Sequence, residues 1–374
     1  MIEETSILPG RFEQLKAFLL SDPDNLALIA DAANAAFTEG RFDEANALLA
    51  HHEALAPLPP REQHLAGMTA MRLLNWPGAT VRFERLLAEG ADVPAVRFNL
   101  AWSLAMDKRS ADALGLLDDA TNAALPQAAQ LEVSLRHELG DLKRAEDRAR
   151  ALIVLHPEHR GLNAAVSVLA IDIEDVELAA ATAAMAGDHP DALVTRGTLT
   201  LGDDDPDRAA DLFDAALARN PTSPRALVGR GLARLLNGDQ TEAAREIDRG
   251  AEIFGTHLGS WIAAGWAHVI AGDRDIARAR FERAVEIDDS FGEAQGSLAV
   301  IELLEGNIEQ ARYRTEIALR LDRQGFAGAF ASMLLAEADG DAERARRIFE
   351  IALKTPIANG RTLAQSMARM GMRG

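Results

Sequence analysis

The stretch WIAAGWAHVIAGDRDIARARFERAVEIDDS, residues 261–290, decides the fold. Its first part is apolar or small at almost every position, and Gly272-Asp273 interrupts it. Beyond the break, Ala277, Phe281 and Ala284 recur at spacings of four and three, which puts them on one face of a second helix. A glycine at such a break suits the left-handed residue that closes a helix. The same signature returns in steps of 34 residues: Gly238-Asp239 with Ala243 before it, then Gly306-Asn307 with Ala311 and Gly340-Asp341 with Ala345 after it.

Extending that period outward places repeat starts at Leu26, Pro60, Pro94, Pro126, Arg160, Pro190, Pro224, Leu258, Gly292 and Phe326, with the last repeat ending near Gly360. The units starting at Pro94 and Arg160 are two and four residues shorter than the rest. Position 20 is alanine in every repeat: Ala45, Ala79, Ala113, Ala145, Ala179, Ala209, Ala243, Ala277, Ala311 and Ala345. A small side chain is needed there if two helix backbones close on each other. Position 15 holds Gly40, Gly140, Gly238, Gly272, Gly306 and Gly340, and proline at position 1 of five repeats fits the first residue of a helix. Large apolar residues such as Leu49, Phe83, Leu117, Phe213, Ile247, Phe281 and Phe349 recur at position 24.

This pattern resembles the tetratricopeptide repeat (TPR), whose helix pairs stack into a right-handed superhelix. The resemblance implies an all-α solenoid over residues 26–359, with capping helices at 1–25 and 360–374. Phe12, Leu15, Phe18 and Leu19 are expected on one face of the front helix, and Leu363, Met367 and Met370 are expected to face inward on the rear one. The pattern departs from the family at position 4, where Gln63, Arg97, Asn163 and Gln295 stand in place of a large apolar residue, and at position 7, where Arg196 and Arg230 are charged. The stretch from Glu174 to His189 leaves too little room for a full second helix and linker.

Composition agrees. Hydrophobic residues make up 48% of the 374 but aromatics only 5%, so the apolar content is mainly Ala and Leu, which favour helix over sheet. Asp and Glu outnumber Lys and Arg by 58 to 39, a net charge of −19, which disfavours nucleic acid and anionic membrane surfaces as partners. Arginine dominates the basic residues and Ala and Gly are abundant, a composition that points to a GC-rich bacterial genome. The absence of cysteine removes disulfides, thiolate metal sites and cysteine nucleophiles. The acidic start Met1-Ile2-Glu3-Glu4 reads as no secretory leader, and the longest apolar runs are too short to span a bilayer, so a cytoplasmic location is expected.

In TPR folds the first helices line a concave groove in which ligands bind. Family members that clamp peptide carboxylates carry Asn at position 9 with Lys or Arg at 2, 6 or 13; that clamp is missing here. From Pro224 onward the same face is apolar instead, with Val228, Leu232, Leu236, Ile262, Trp266, Ile270, Val300, Leu304 and Leu334 at positions 5, 9 and 13. An apolar face open to water marks an interaction site, so an apolar protein or peptide segment is the expected ligand, with Trp266 as its anchor. Tight internal packing or a homodimer would cover the same residues. Met68, Trp102 and Met106 form a second, smaller patch.

Catalytic signatures are absent: no phosphate-binding glycine loop, no second histidine after His137-Glu138 at zinc-protease spacing, and no cofactor motif. His156-x-x-His159 lacks a third metal ligand, and Asp203 to Asp207 fits a turn with a helix N-cap better than a calcium loop. The expected function is a non-enzymatic protein-binding scaffold with no cofactor. Two alternatives stay open: an accessory subunit for a separately encoded glycosyltransferase, sulfotransferase or oxygenase, and an assembly factor for pilus, secretion or envelope machinery.

Overall fold

The computed structural model describes residues 10–354, and among them are 22 helices and no strand. Helix α1 (Arg11–Leu19) precedes the pairs α2/α3 (Leu26–Thr38, Phe42–Leu55) and α4/α5 (Pro60–Arg72, Trp76–Ala88). Next come α6 (Pro94–Met106), the short α7 (Ser110–Leu114) and α8 (Asp119–Ala124), then α9/α10 (Pro126–Glu138, Leu142–Leu155) and α11/α12 (Arg160–Asp172, Val176–Ala186). The remaining pairs are α13/α14 (Pro190–Gly202, Pro206–Arg219), α15/α16 (Pro224–Leu236, Gln240–Phe254), α17/α18 (Leu258–Ala271, Arg274–Ile287), α19/α20 (Gly292–Leu304, Ile308–Leu321) and α21/α22 (Phe326–Ala338, Ala342–Lys354). The chain divides into two compact units between Leu162 and Asn163. Each is an α-solenoid stack, in which a helix meets its sequence neighbours and a first helix also touches the first helix of the next repeat, as α15 does α17 and α17 does α19.

Turn chemistry sets the helix pairs. Gly40, Gly140, Gly238, Gly272, Gly306 and Gly340 all have positive φ, and Leu74, Lys108, Glu174 and Asp204 adopt the same left-handed conformation at position 15 of the other four repeats. After α17 the Asp273 amide donates to the carbonyl of His268 at 2.9 Å and the Gly272 amide to that of Val269 at 3.2 Å, which satisfies carbonyls the helix end leaves over. Side chains start the next helices: Asp175 accepts from the Leu178 amide at 2.9 Å and Asp205 from that of Arg208 at 3.2 Å.

Within a pair, size is matched across the seam. All ten alanines at position 20 are buried. Phe83, Phe213 and Phe281 are fully buried against Gly67, Gly197 and Gly265, where an added Cβ would come within 2.6, 2.7 and 2.2 Å of the respective ring. An aromatic ring at position 24 is accommodated because position 8 has no side chain.

Several polar residues of the first helices meet partners on second helices, while Arg97 pairs with Asp92 and Asp118 outside them. Buried Gln63 accepts from Arg82 Nη1 at 3.2 Å and Gln295 from Arg314 Nη1 at 2.9 Å, while the Arg280 guanidinium lies over the Trp261 ring at 5.8 Å. Arg230 donates to Glu246 and, at 2.5 Å, to Asp214. Buried Glu302 accepts from Arg278 at 2.8 Å and Asn307 at 2.9 Å, and the Arg278 guanidinium holds its carboxyl below the usual carboxylate range.

Two local readings change. Leu117 sits between α7 and α8 rather than inside a second helix, because Gly115 ends α7 and Asp118 caps α8 through the Thr121 amide at 2.8 Å. The segment after Glu174 does form a second helix, the 11-residue α12, whose Ala-rich sequence runs until Gly187 takes φ 67°. At the front, Phe12 of α1 is buried with Ala35, Ala36 and Ala45, and its amide donates to Glu39 at 2.9 Å. The rear helix expected at residues 360–374 lies outside the described residues.

Candidate functional site

In the C-terminal unit, α11, α13 and α15 present their positions 5, 9 and 12 to a common groove of about 320 Å³. Val168 and Ile171 come from α11, Val194, Thr198 and Leu201 from α13, and Val228 and Leu232 from α15. The beginning of α17 closes one end with Gly259, Ser260 and Ala263, preceded by Phe254 and His257. The walls are short side chains, Val168, Val194 and Val228, while the bare Gly229 makes room on the other side for the Phe213 ring, which an added Cβ would approach to 2.3 Å.

The polar groups around this groove have partners within the protein. Arg225 forms a two-point ion pair with Asp172, at 3.1 and 2.6 Å, and lies over the Phe254 ring at 5.7 Å. Phe254 stacks on His257 at 4.7 Å. The Thr198 hydroxyl donates to the Val194 carbonyl at 3.0 Å, Thr195 and Ser167 share a buried bond of 2.9 Å, and Ser260 donates to the His257 carbonyl at 2.7 Å. Methyl and methylene groups are therefore what the groove offers to a ligand. It is suited to burying apolar groups, and it brings together no nucleophile, base and orienting group in mutual reach.

The structure sorts the residues singled out by the sequence into three sets. Val228 and Leu232 line the groove. Ile262 and Trp266 are half-buried and pack against buried Phe281, Leu298 and Ile301, while Val300 is core at 2% exposure, with Leu334 half-buried beside it. Trp266 has ring neighbours in Phe281 at 5.7 Å, Phe330 at 6.1 Å and Phe326 at 6.3 Å. The row Leu232, Trp266, Val300, Leu334 is thus not one continuous open strip: α21 supplies two phenylalanines that cover Trp266, and α19 is packed between α17 and α21. Leu236, Ile270 and Leu304 form the third set and are exposed.

Of the groove residues, only Val228 and Leu232 are among those the sequence singles out as a site; Val168, Ile171, Val194, Thr198, Leu201 and Arg225 are not. They stand at positions 2, 5, 9 and 12 of the three repeats before that of Trp266, and packing against the next repeat, which no local pattern records, leaves the space beside them open.

In the N-terminal unit, Met68 and Trp102 are half-buried against the cluster of Leu100, Leu104 and Leu131, and Met106 is exposed. A recess of about 220 Å³ beside Met68 is lined by Asn34, Arg61 and His64. Burial pushes His64 below the ordinary imidazole value, and its Nε2 lies 3.2 Å from the Asn99 amide nitrogen, as suits an accepting neutral ring. Elsewhere, His156 Nε2 meets the Asn122 carbonyl at 2.7 Å and His159 Nδ1 accepts from the Leu162 amide at 3.0 Å, so both histidines serve the inter-repeat turn. Asp205 is an N-cap and Asp207 accepts from Asn237 at 2.8 Å. Among the described residues no three metal-ligating side chains converge, and no helix is long and apolar enough to cross a membrane.

Comparison with known proteins bears on the fold. The sequence profile of the tetratricopeptide repeat matches residues 64–129, 194–256 and 262–325, together half of the chain. No curated protein sequence matches. Among solved structures, a monomeric mutant of IFIT1 with Gppp-AAAA is similar at a TM-score of 0.54 and 12% identity, covering 93% of this chain and 95% of that one. Yeast Tom70 is similar at 0.40 and 12%, over 88% of this chain and 84% of that one; MamA is similar at 0.34 and 17%, over 41% and 90%. At such identity the IFIT1 likeness speaks for the stacked-helix fold alone. With the repeat profile, the alanine column and the helix pairs in agreement, the chain belongs to the tetratricopeptide repeat family.

Proposed function

We propose that this chain is a non-enzymatic scaffold that seats an apolar segment of a protein partner in the groove formed by α11, α13, α15 and the start of α17. One observation carries the reading: an open space of about 320 Å³ is walled by Val, Ile and Leu side chains while the polar atoms around it are bonded within the protein. Burying a leucine-sized group there is worth about 1.5–3 kcal/mol. A few such contacts in one groove give selective binding without a charged anchor.

The test is site-specific photocrosslinking on the full chain. A photoreactive phenylalanine at Leu201 should capture a protein partner that the same group at Arg245, on the outer side of α16, does not. Titration of the captured partner against Leu232→Asp should then show affinity weakened by about tenfold or more, with helical circular dichroism unchanged. Equal capture from both positions, or an affinity indifferent to Leu232→Asp, would reject the groove.

A further inference from the structure

Leu236, Ile270 and Leu304 occupy the same place, position 13, in three successive repeats of the C-terminal unit, and they are 56%, 48% and 40% exposed. Each stands at the C-terminal end of its first helix, α15, α17 or α19. Neighbouring helices pack about 8–10 Å apart, so the three side chains span roughly 20 Å. An α-helix of about 14 residues covers that length.

What surrounds this strip is acidic. Asp239 and Asp273 follow the turns after α15 and α17, Asp275 and Glu309 lie in the first turns of α18 and α20, and Glu305 adjoins Leu304. Among the described residues Asp239 and Asp275 enter no ion pair or side-chain hydrogen bond and Glu309 has only a longer-range electrostatic contact with Arg312, whereas Asp273 approaches His268 at 3.4 Å and Glu305 is paired with Arg278 at 2.7 Å. The arginines near the strip are engaged: Arg274 donates to the Leu304 carbonyl at 3.1 Å, and Arg234 pairs with Glu246 at 3.3 Å. The three first helices also turn their negative dipole ends to this edge. A second copy of the chain would bring like charges against like, and an anionic membrane surface would be repelled by the same field.

We infer that the Leu236–Ile270–Leu304 strip, with the carboxylates at Asp239, Asp275 and Glu309, docks a cationic amphipathic helix of a partner protein, leucine-like residues on the strip and Lys or Arg toward the acids. This rests on the scaffold reading above and adds the charge of the partner and a contact surface beyond the groove.

The experiment uses the full chain and two fluorescent helical peptides of the same length and leucine face, one with Lys and Arg on its polar face, the other with Glu. Anisotropy titration should show the cationic peptide binding about tenfold or more tightly than the anionic one, with affinity falling as salt rises. Replacing Leu236, Ile270 and Leu304 together by Ser should weaken it about tenfold. The set Asp239→Asn, Asp275→Asn, Glu309→Gln should weaken it about fivefold, and the charge-matched set Glu252→Gln, Glu286→Gln, Glu316→Gln on the second helices less than about twofold. Equal binding of both peptides, an indifferent serine variant, or equal losses from the two neutralised sets would overturn the inference. Loss of peptide binding in Leu232→Asp alone would leave the groove standing and remove this strip from it.

Discussion

Two apolar regions of the C-terminal unit have nearly the same composition and opposite fates. Around Val194, Val228 and Leu232 the concave face stays open, with about 320 Å³ unfilled. Around Trp266 the equivalent face is partly filled by Phe330 and by Phe326, itself 54% exposed, and Val300 beside it is buried. The difference is volume rather than polarity. Position 5 is valine in the repeats at Pro190 and Pro224 and phenylalanine in the one at Phe326, so the first two leave room and the third consumes it. The turns differ as well: the repeats at Arg160 and Pro190 close their first helices with Glu174 and Asp204 in the left-handed region, whereas those at Leu258, Gly292 and Phe326 use glycine. The open region thus carries backbone strain that the closed region does not.

The largest test of that contrast is Phe281→Ala. Phe281 is fully buried against Gly265 and Trp266, and removing its ring leaves a cavity that the rigid helix pair cannot collapse. A loss of about 3–5 kcal/mol is expected in that part of the array. Because repeats are coupled mainly to their neighbours, hydrogen exchange should accelerate in α17, α18 and α19, while α13 keeps most of its protection. Uniform acceleration would mean that the two regions form one cooperative body and that their contrast is only local packing.

A smaller effect, and the sharper one for function, is expected from Trp266→Ala. An exposed anchor would lose binding and leave stability alone. Trp266 is instead half-buried among Phe281, Phe326 and Phe330. Its truncation should lower stability by about 2 kcal/mol while a partner seated on Val228 and Leu232 keeps its affinity within about twofold. Urea unfolding and partner titration on the same variant separate the two outcomes. Weakened binding at unchanged stability would restore Trp266 as an anchor and count against the closed reading.

The family and the all-α fold were legible in the sequence because a 34-residue period with alanine at one position in every repeat allows few other architectures. The buried polar residues at positions 4 and 11 were not, since Gln63, Gln295 and Glu302 look misplaced until their arginine partners on second helices are in view. The site was legible as chemistry and not as space. Positions 5, 9 and 12 read as apolar in either region, but whether such a face is open depends on the side chain that the next repeat brings over it. Phe326 and Phe330, 60 or more residues from Trp266, decide that through packing that no local pattern records.

The smallest predicted effect concerns the turns. Glu174 holds φ 60°, where a Cβ is crowded, while Gly272 holds φ 90° at the equivalent place with no side chain to strain. Left-handed backbone disfavours an L-residue by about 1–2 kcal/mol, and glycine gives part of that back through its larger entropy loss on folding. Glu174→Gly should therefore raise stability by up to about 1 kcal/mol and Gly272→Ala should lower it by about 1 kcal/mol, both read from urea midpoints at constant slope. If Glu174→Gly also leaves partner binding intact, the strain at this turn is incidental to the groove. If stability rises while affinity falls, the strained turn is setting how far α11 stands from α13, and the openness of the groove is maintained by its backbone as well as by its short side chains.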